Sequence, residues 1–450
     1  MFGRGVDRSF PCCDHVTVSQ ATSVLFSPVV SRLAHSSLGF HAAYAGLSPC
    51  ERAPAGEDAT RAPRTIETGR LLRDFDVVWV SLSWEPEALD VARALRNSGI
   101  QPVRSLRPGS DPLVVAGGPL TFSNPDLAAA FADAVFLGEA DGAFRDLASA
   151  VNDARDREDA LVRLAAVPGT WVPAIHGIHD PPVALISAPP ETPPARTVLR
   201  GEPNEFGDAF IVEVGRGCPR GCTFCVARNG VRRCSFFSAE SIFAAIPDDA
   251  RRVGLLGAAV SDHPDLFRIV ETLHRRGVGV TLGSVRADRV TPELMALLAQ
   301  SGLRTLTVAA DGPSEVLRAF LHKGIHADDL RRCADLARLH GIGRLRLYVM
   351  VGLPGETEAD IEELADLVRD LAGRVRLAVS VSPFVPKRFT PLADSPFAGA
   401  KQLKRRLALL SRRVGGVAAL KATSPRHAEL EWILSHVRGE DAEAAVRDAR

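Results

Sequence analysis

The second half of the chain repeats one local pattern, a short apolar run rich in β-formers followed by a helical stretch that closes on glycine. Six such runs follow residue 205 of the 450-residue chain: Ala209–Val214, Val253–Ala259, Val278–Val285, Leu303–Ala309, Leu345–Val351 and Val375–Val381. Strands that alternate with helices pair in parallel, because each helix returns the chain to the starting edge of the sheet. The pattern predicts a partial parallel (βα)6 barrel over residues 206–390, with its chemistry at the carboxyl ends of the strands.

A similar but weaker alternation precedes the barrel. Phe75–Ser83 and Asp111–Pro119 have the character of strands, and Glu87–Gly99 between them has helical apolar spacing. These elements predict a doubly wound, Rossmann-like α/β domain over residues 61–160. Ligands of such sheets bind beyond the carboxyl ends of the strands.

Three other segments lack this alternation. We expect a variable N-terminal segment over residues 1–60 and a proline-rich linker over residues 161–205, which contains "PPETPP". The stretch "KQLKRRLALLSRR" predicts a helical extension over residues 391–450. Its charges are typical of a solvated helix face, and a basic patch for a partner or RNA is the alternative.

Composition narrows the class of protein. Hydrophobic residues make up 46% and charged residues 24%, and no apolar run reaches the roughly 18 residues that span a bilayer, so we expect a cytoplasmic protein without membrane association. Lys plus Arg (54) equals Asp plus Glu (54), and the net charge therefore does not indicate a nucleic-acid partner. Eight cysteines are too few for a disulfide-stapled secreted fold.

Three cysteines crowd into "VEVGRGCPRGCTFCVARNG", at the end of the first barrel strand. Cys218, Cys222 and Cys225 have C-x3-C-x2-C spacing. Thiolates are the natural ligands of iron–sulfur clusters, and three of them leave one iron of a cubane open to an external ligand. The alternative is a zinc site with Cys234 as fourth ligand, although zinc sites usually present paired C-x2-C arms.

This motif, with Phe224 before its last cysteine, closely resembles that of the radical S-adenosylmethionine (SAM) superfamily. The resemblance implies that Cys218, Cys222 and Cys225 hold a 4Fe-4S cluster and that SAM chelates the fourth iron. Reduction of the cluster would cleave SAM to methionine and a 5'-deoxyadenosyl radical. The resemblance also implies an electron donor such as flavodoxin or ferredoxin.

Further segments after the cysteines are similar, in order and spacing, to radical SAM barrel motifs. They suggest cofactor-binding positions at the strand ends: Phe224, Ser261, Ser284, Arg286, Asp311, Gly352, Leu353, Pro354 and Pro383. By resemblance, Ser284 and Arg286 contact the carboxylate or sulfonium side of SAM, and the Gly-Leu-Pro-Gly loop flanks its adenine. Relatives usually carry Glu where Asp311 stands.

Residues 65–440 resemble a group of radical SAM proteins with an N-terminal cobalamin-binding-type domain. The D-x-H-x-x-G motif that ligates cobalt in other cobalamin proteins is absent, as it is from many radical SAM members. The first hypothesis is a cobalamin-dependent enzyme that methylates or rearranges an unactivated carbon. The second is a cobalamin-free radical SAM enzyme that modifies RNA or protein. The third is a non-catalytic iron–sulfur or zinc protein, which would not need the ordered rim motifs.

Overall fold

The computed structural model describes residues 23–179, 181, 184–229 and 234–449, and the secondary structure below refers to these. Two of the eight cysteines, Cys12 and Cys13, lie outside the described residues. Within the described residues, no helix combines the length and the apolar character needed to cross a membrane.

The first sheet has six strands in the order β2-β1-β3-β4-β5-β6. All neighbouring strands are parallel except the antiparallel β5–β6 pair. Its strands are β1 (Ser23–Val30), β2 (Glu51–Ala55), β3 (Val77–Ser81), β4 (Leu113–Gly117), β5 (Ala134–Phe136) and β6 (Thr170–Trp171). Its helices are α1 (Ser31–Ala34), α2 (Leu38–Gly46), α3 (Glu87–Asn97), α4 (Pro125–Ala129), α5 (Phe144–Asn152), α6 (Arg157–Ala166) and α7 (Pro173–His176).

Helices cover both faces of this sheet. Val78 and Val80 of β3 belong to one hydrophobic core, and Val77 and Trp79 belong to the core on the opposite face. A strand buried on both faces needs a continuous apolar run, which is what "VVWVS" supplies. The predicted Rossmann-like architecture is therefore confirmed.

The sequence predicted a variable segment over residues 1–60, but residues 23–55 belong to the first sheet and its helices. Strand β1 lies inside the first sheet between β2 and β3, and Val24, Leu25 and Phe26 are fully buried. The sequence misled because serine and proline interrupt "SVLFSPVV", so the strand lacks a clean apolar pattern. Its pairing with β3 across about fifty residues of chain is a tertiary property.

The second half forms two four-stranded sheets, in the orders β10-β9-β7-β8 and β11-β12-β13-β14. Their strands are β7 (Phe210–Arg216), β8 (Ser235–Phe236), β9 (Arg252–Gly257), β10 (Gly279–Leu282), β11 (Thr305–Asp311), β12 (Arg344–Val351), β13 (Leu377–Pro383) and β14 (Ala419–Ala422). A parallel bridge between Val285 and Val308 joins the two sheets into an open barrel. All its strand pairs are parallel except β7–β8.

Helices cover the outer face of this barrel. They are α8 (Val226–Asn229), α9 (Ala239–Ala245), α10 (Leu266–Arg275), α11 (Pro292–Gln300), α12 (Glu315–Phe320), α13 (Ala327–Leu339), α14 (Glu358–Arg374) and α15 (Ala400–Val414), followed by α16 (Pro425–His436) and α17 (Gly439–Asp448). The predicted alternation of strands and helices is present. It was predictable because amphipathic stretches and helix-start residues mark the helices within their own sequences. Thr291, for example, caps α11 by accepting a hydrogen bond from Leu294 N at 3.2 Å.

The predicted linker and tail are more structured than their sequences suggested. Residues 195–197 run beside β7, where Thr197 N donates to Ile211 O at 2.9 Å. The tail contributes the edge strand β14, and Leu434 and Val446 of its last helices join the core of the first sheet. Neither contact is visible in the sequence, because both depend on partners far away along the chain.

Candidate active site at the barrel rim

The three clustered cysteines lie in the loop that follows β7, at the carboxyl edge of the barrel. Cys222 is buried, whereas Cys218 and Cys225 are half-buried. Cys225 N donates to Cys222 O at 3.3 Å, and Thr223 N donates to Leu321 O at 3.1 Å. The loop is thus folded on itself and anchored to the segment that follows α12.

Charged groups from two other strand ends surround Cys222. Burial raises the pKa of its thiol, and Asp311 and Cys225 act in the same direction. Lys323 and Arg286 act to lower this pKa. Lys323 Nζ lies 2.5 Å from a carboxylate oxygen of Asp311, the last residue of β11. Asp311 has φ 58°, in the left-handed region that a non-glycine residue adopts only at some cost. The structure therefore brings Asp311 and Arg286 close to Cys222, as their order along the chain suggested.

Ser261 and Arg286 meet at the neighbouring strand ends. Ser261 Oγ accepts a hydrogen bond from Arg286 N at 3.1 Å. The Arg286 guanidinium donates to both carboxylate oxygens of Asp288, at 3.0 and 3.2 Å, and to Gly324 O at 3.0 Å. Ser284 is exposed at the same rim. Asp288 thus orients the guanidinium, and SAM contacts for Ser284 and Arg286 stay a prediction.

Phe224 and the Gly-Leu-Pro-Gly loop share one apolar cluster. Phe224 packs against a group that contains Leu321, Leu353 and Phe384, the residue after Pro383. The carboxyl ends of β12 and β13 therefore lie beside the cysteine loop. Pro354 is half-buried in the same loop, and Pro383 is buried at the end of β13.

Glu356 is a rim residue that sequence reasoning missed. Its carboxylate accepts hydrogen bonds from Gly352 N at 2.8 Å and from Leu353 N at 3.4 Å. Burial raises its pKa to about 7, although Arg406 lies 3.4 Å away and acts in the opposite direction. The signal for its role was a glutamate directly after Gly-Leu-Pro-Gly, where a loop needs an acceptor for its amides.

Two arginines near the cysteines are already paired. Arg220 donates to the Asp262 carboxylate, which raises the pKa of Arg220. Arg216 lies 2.7 Å from Glu213 and 3.1 Å from Asp141 of the first half of the chain. Arg216 therefore links β7 of the barrel to the first half of the chain.

A cavity of about 620 Å³ opens where the first sheet faces the barrel. Gly117 and Gly138 line it at the strand ends of the first sheet, and Gly217 and Val226 line it on either side of the cysteine loop. This volume lies within the roughly 300–1,000 Å³ of small-molecule and cofactor sites. The cavity thus connects the ligand-binding edge of the first sheet with the cysteine loop.

Two groups of charged side chains line the otherwise largely apolar cavity. One consists of Arg216 with Glu213 and Asp141. In the other, Lys387 Nζ lies 2.7 Å from Glu85 and 2.6 Å from Glu431. Salt bridges from both halves of the chain therefore hold the walls of the cavity together.

The cysteine loop offers three thiols, the usual protein ligands of an iron–sulfur cubane. Over the parts of the chain that the structure describes, no three His, Cys, Asp or Glu side chains converge on one metal position. In an iron–sulfur cubane each thiolate binds a different iron, so the thiolates need not converge in this way. Three thiols in one loop, with Lys323 and Arg286 supplying positive charge near Cys222, fit such a group.

Comparison with known proteins adds to this geometry. A family model described as "Radical SAM proteins, N-terminal" matches residues 50–173, and the "Radical SAM superfamily" model matches residues 212–368. An uncharacterised protein of Methanocaldococcus jannaschii is 28% identical over 338 residues, covering 74% of this chain and 71% of its own length. The tRNA-2-methylthio-N(6)-dimethylallyladenosine synthase of Yersinia enterocolitica is 27% identical over 47% of this chain and 48% of its own length.

Two solved structures share the fold at low sequence identity. The radical SAM methyltransferase TsrM from Kitasatospora setae, with cobalamin and a 4Fe-4S cluster bound, has a TM-score of 0.56 and 16% identity, covering 83% of this chain and 74% of TsrM. The cobalamin-dependent SAM radical enzyme OxsB has a TM-score of 0.53 and 14% identity, covering 80% of this chain and 54% of OxsB. With both family models matched and the cysteine loop at the barrel rim, the chain belongs to the radical SAM superfamily, whose enzymes use a 4Fe-4S cluster and SAM.

Proposed function

We propose that this radical SAM enzyme holds its cluster with Cys218, Cys222 and Cys225 and uses cobalamin, bound in the interdomain cavity, to methylate or rearrange an unactivated carbon. When bound, the cluster supplies the electron that cleaves SAM to methionine and a 5'-deoxyadenosyl radical, and cobalamin supplies a methyl carrier. A flavodoxin or ferredoxin would deliver the electron. The observation that carries the proposal is the cavity itself, which joins the strand ends of the first sheet to the cysteine loop.

The residues of the chain would position SAM and exclude water. Asp311, Ser261 and Arg286 offer hydrogen-bonding groups at three neighbouring strand ends. Leu353 and the backbone of its loop offer an apolar edge for adenine, and Glu356 holds the amides of that loop. These roles follow from the chemistry of each group, because polar groups orient a ligand and apolar groups enclose it.

The fit of cobalamin rests on the lining of the cavity. The side toward the first sheet includes Gly117, Gly118 and Gly138 among mostly apolar side chains, together with the acidic residues Glu85, Glu139 and Asp141. A flat ligand can approach the backbone at the glycines. TsrM and OxsB, which share the fold, are described with cobalamin bound. The chain lacks the cobalt-binding histidine motif, so any bound corrinoid would be held by enclosure in the cavity.

A cavity-filling variant tests the cobalamin proposal. Ala42 of α2 lines the cavity, and Ala45 on the same helix is exposed. Anaerobically purified protein incubated with hydroxocobalamin should retain corrinoid absorbance after desalting. Ala42→Trp should lose it and Ala45→Trp should keep it, with the iron content of both variants unchanged. Wild-type protein that retains no corrinoid would sink this proposal.

RNA modification without cobalamin is the second candidate function. Relatives named as a tRNA methylthio synthase and as the probable dual-specificity RNA methyltransferase RlmN of Halalkalibacterium halodurans are each 27% identical, over 47% and 45% of this chain. The chain spans 48% and 61% of those relatives. This candidate predicts that deoxyadenosine forms in the absence of corrinoid and that an RNA, rather than a small molecule, is modified.

A further inference from the structure

The face of the β11–β14 sheet that points into the open barrel carries several cationic side chains. In β12, Leu345, Leu347 and Val349 are buried in the core under the helices. Because side chains alternate across a strand, Arg344, Arg346 and Tyr348 project from the opposite face. We call this the inner face. Arg346 is exposed and Tyr348 is 38% exposed, although β12 is an internal strand of its sheet.

The neighbouring strands add two more cations to the inner face. Lys421 of β14 is in register with Ser380 of β13, which is in register with Tyr348, so the three side chains form one row. Arg376 precedes the buried Leu377, and its carbonyl accepts a hydrogen bond from Leu345 N at 2.9 Å. Alternation therefore places Arg376 on the inner face as well.

These four cations have no carboxylate partner in the described part of the chain, as judged from the ion pairs found there. Three arginines of the helix layer over the same strands, by contrast, are paired with carboxylates. Arg374 lies 2.7 Å from Asp335, Arg331 lies 2.6 Å from Asp370, and Arg413 lies 2.7 Å from Glu362. Asp311, at the carboxyl end of the inner face, is already paired with Lys323.

Four cations without carboxylate partners on one face of a sheet offer a binding site to an anionic ligand. We infer that the inner face binds the phosphate groups of the substrate, through Arg344, Arg346, Arg376 and Lys421. Arginine forks bind phosphate bidentately, and four cations match a ligand with several negative charges better than one carboxylate. This inference rests on the proposed radical SAM function, since it assigns the substrate class of that same site.

The geometry also limits the length of the substrate. Arg346 and Met350 both belong to β12, and Met350 is one residue from its end at the barrel rim. Four residues of strand span about 13 Å, at roughly 3.3 Å per residue. Arg346 therefore lies about 13 Å along the strand from Met350 at the rim. A nucleotide-sized phosphate ester or a segment of RNA is long enough to extend from Arg346 to the rim.

Binding to the reconstituted protein, measured without SAM and without reductant, tests this inference separately from catalysis. The probes are inorganic tripolyphosphate and a short single-stranded RNA, with binding measured by calorimetry at two salt concentrations. Arg346→Glu/Arg376→Glu should weaken binding by about 10- to 100-fold, the range expected for lost hydrogen bonds between charged groups. The matched control, Lys404→Glu/Arg412→Glu, reverses two exposed charges on α15 in the outer helix layer and should leave affinity unchanged.

The outcomes distinguish a small phosphorylated substrate from a nucleic acid. They also distinguish failure of this inference from failure of the proposed radical SAM function. Binding of tripolyphosphate indicates a small phosphorylated substrate, and binding of RNA alone indicates a nucleic acid. Equal weakening by both double variants, or no binding of either probe by the wild type, would overturn the inference. Circular dichroism checks that the variants fold. Iron content and deoxyadenosine formation, measured on reconstituted protein, report on the proposed radical SAM function independently of these affinities.

Discussion

Cys222 is the most enclosed of the three cysteines in the loop after β7. It lies against His322 O, with its sulfur 3.9 Å from that oxygen, and burial raises the pKa of its thiol. A buried thiol usually remains neutral, whereas a cluster ligand must be a thiolate. Lys323 and Arg286 act to lower this pKa, whereas Asp311 and Cys225 act with burial to raise it.

Cys222→Ala should abolish cluster assembly, because two remaining thiolates cannot hold a cubane with one open iron. Iron and sulfide analysis after anaerobic reconstitution should show loss of the cluster, and no deoxyadenosine should form from SAM. Cys234→Ala is the matched control, since Cys234 lies near Cys218 but outside the spaced motif. A complete cubane in Cys222→Ala would show that the ligand assignment is mistaken.

His41 should make the protein sensitive to mild acid. Burial lowers its pKa from the ordinary 6.5 to about 4, and its ring is hydrogen-bonded to His35 O. The unfolded chain therefore binds this proton more readily than the folded protein, and stability falls as the pH drops below 6.5 toward 4. Between pH 7 and pH 5 the loss should be about 2 kcal/mol.

The measurement is the thermal unfolding midpoint across this pH range for the wild type and His41→Asn. The variant should be less stable at pH 7 but should show a shallower pH dependence. An identical slope in both proteins would remove His41 as the source of the effect.

At the scale of the element, the Gly-Leu-Pro-Gly loop shows how close packing fixes the rim. Gly352 has φ 84°, and a Cβ atom there would lie 2.6 Å from the side chain of Leu403 in α15. Gly355 has φ 76°, and a Cβ atom there would meet nothing within 4 Å. A side chain at Gly355 would meet only the cost of a left-handed backbone. A side chain at Gly352 would meet that cost and a clash with Leu403.

Gly355→Ala should cost about 1–2 kcal/mol, the penalty of a left-handed conformation for a residue with a side chain. Gly352→Ala should cost more, because Leu403 must also move, and it should weaken SAM binding by displacing the loop. Thermal unfolding and equilibrium dialysis of SAM measure the two effects. Equal losses in both variants would mean that the contact with α15 does not set the loop.

At the scale of the whole molecule, a buried ion pair joins the two halves of the chain. Arg388, in the loop after β13, donates to Asp126 of α4 and to Asn124, each at 2.7 Å. Both Arg388 and Asp126 are buried. A charge in such a place is stabilising only while its partner is present.

Arg388→Met should destabilise the protein by about 3–5 kcal/mol, because Asp126 is left buried without a counter-charge. Urea unfolding, followed by circular dichroism, should show a correspondingly lower midpoint for this variant. The double variant Arg388→Met/Asp126→Leu should recover most of the loss. A double variant as unstable as the single one would show that packing, and not charge, holds this contact.

The sequence determined the local features of this protein. Apolar periodicity and helix-start residues encode strands and helices over short distances, so the α/β architecture and the barrel strands were predictable. The spacing of the three cysteines is equally local, and it predicts a cluster site at the end of β7. Phe224, Ser261 and Arg286 are predicted by resemblance, and their role as cofactor contacts stays a prediction.

Only the tertiary structure decided which distant residues meet. The pairing of β1 with β3, the cavity between the two sheets and the ion pair of Lys323 with Asp311 join residues from separate segments. The inner face depends on the register of three strands, because a shift of one residue would turn Arg346 and Lys421 to the other side. Such register is set by burial of the opposite face, which is a property of the folded sheet and not of any single segment.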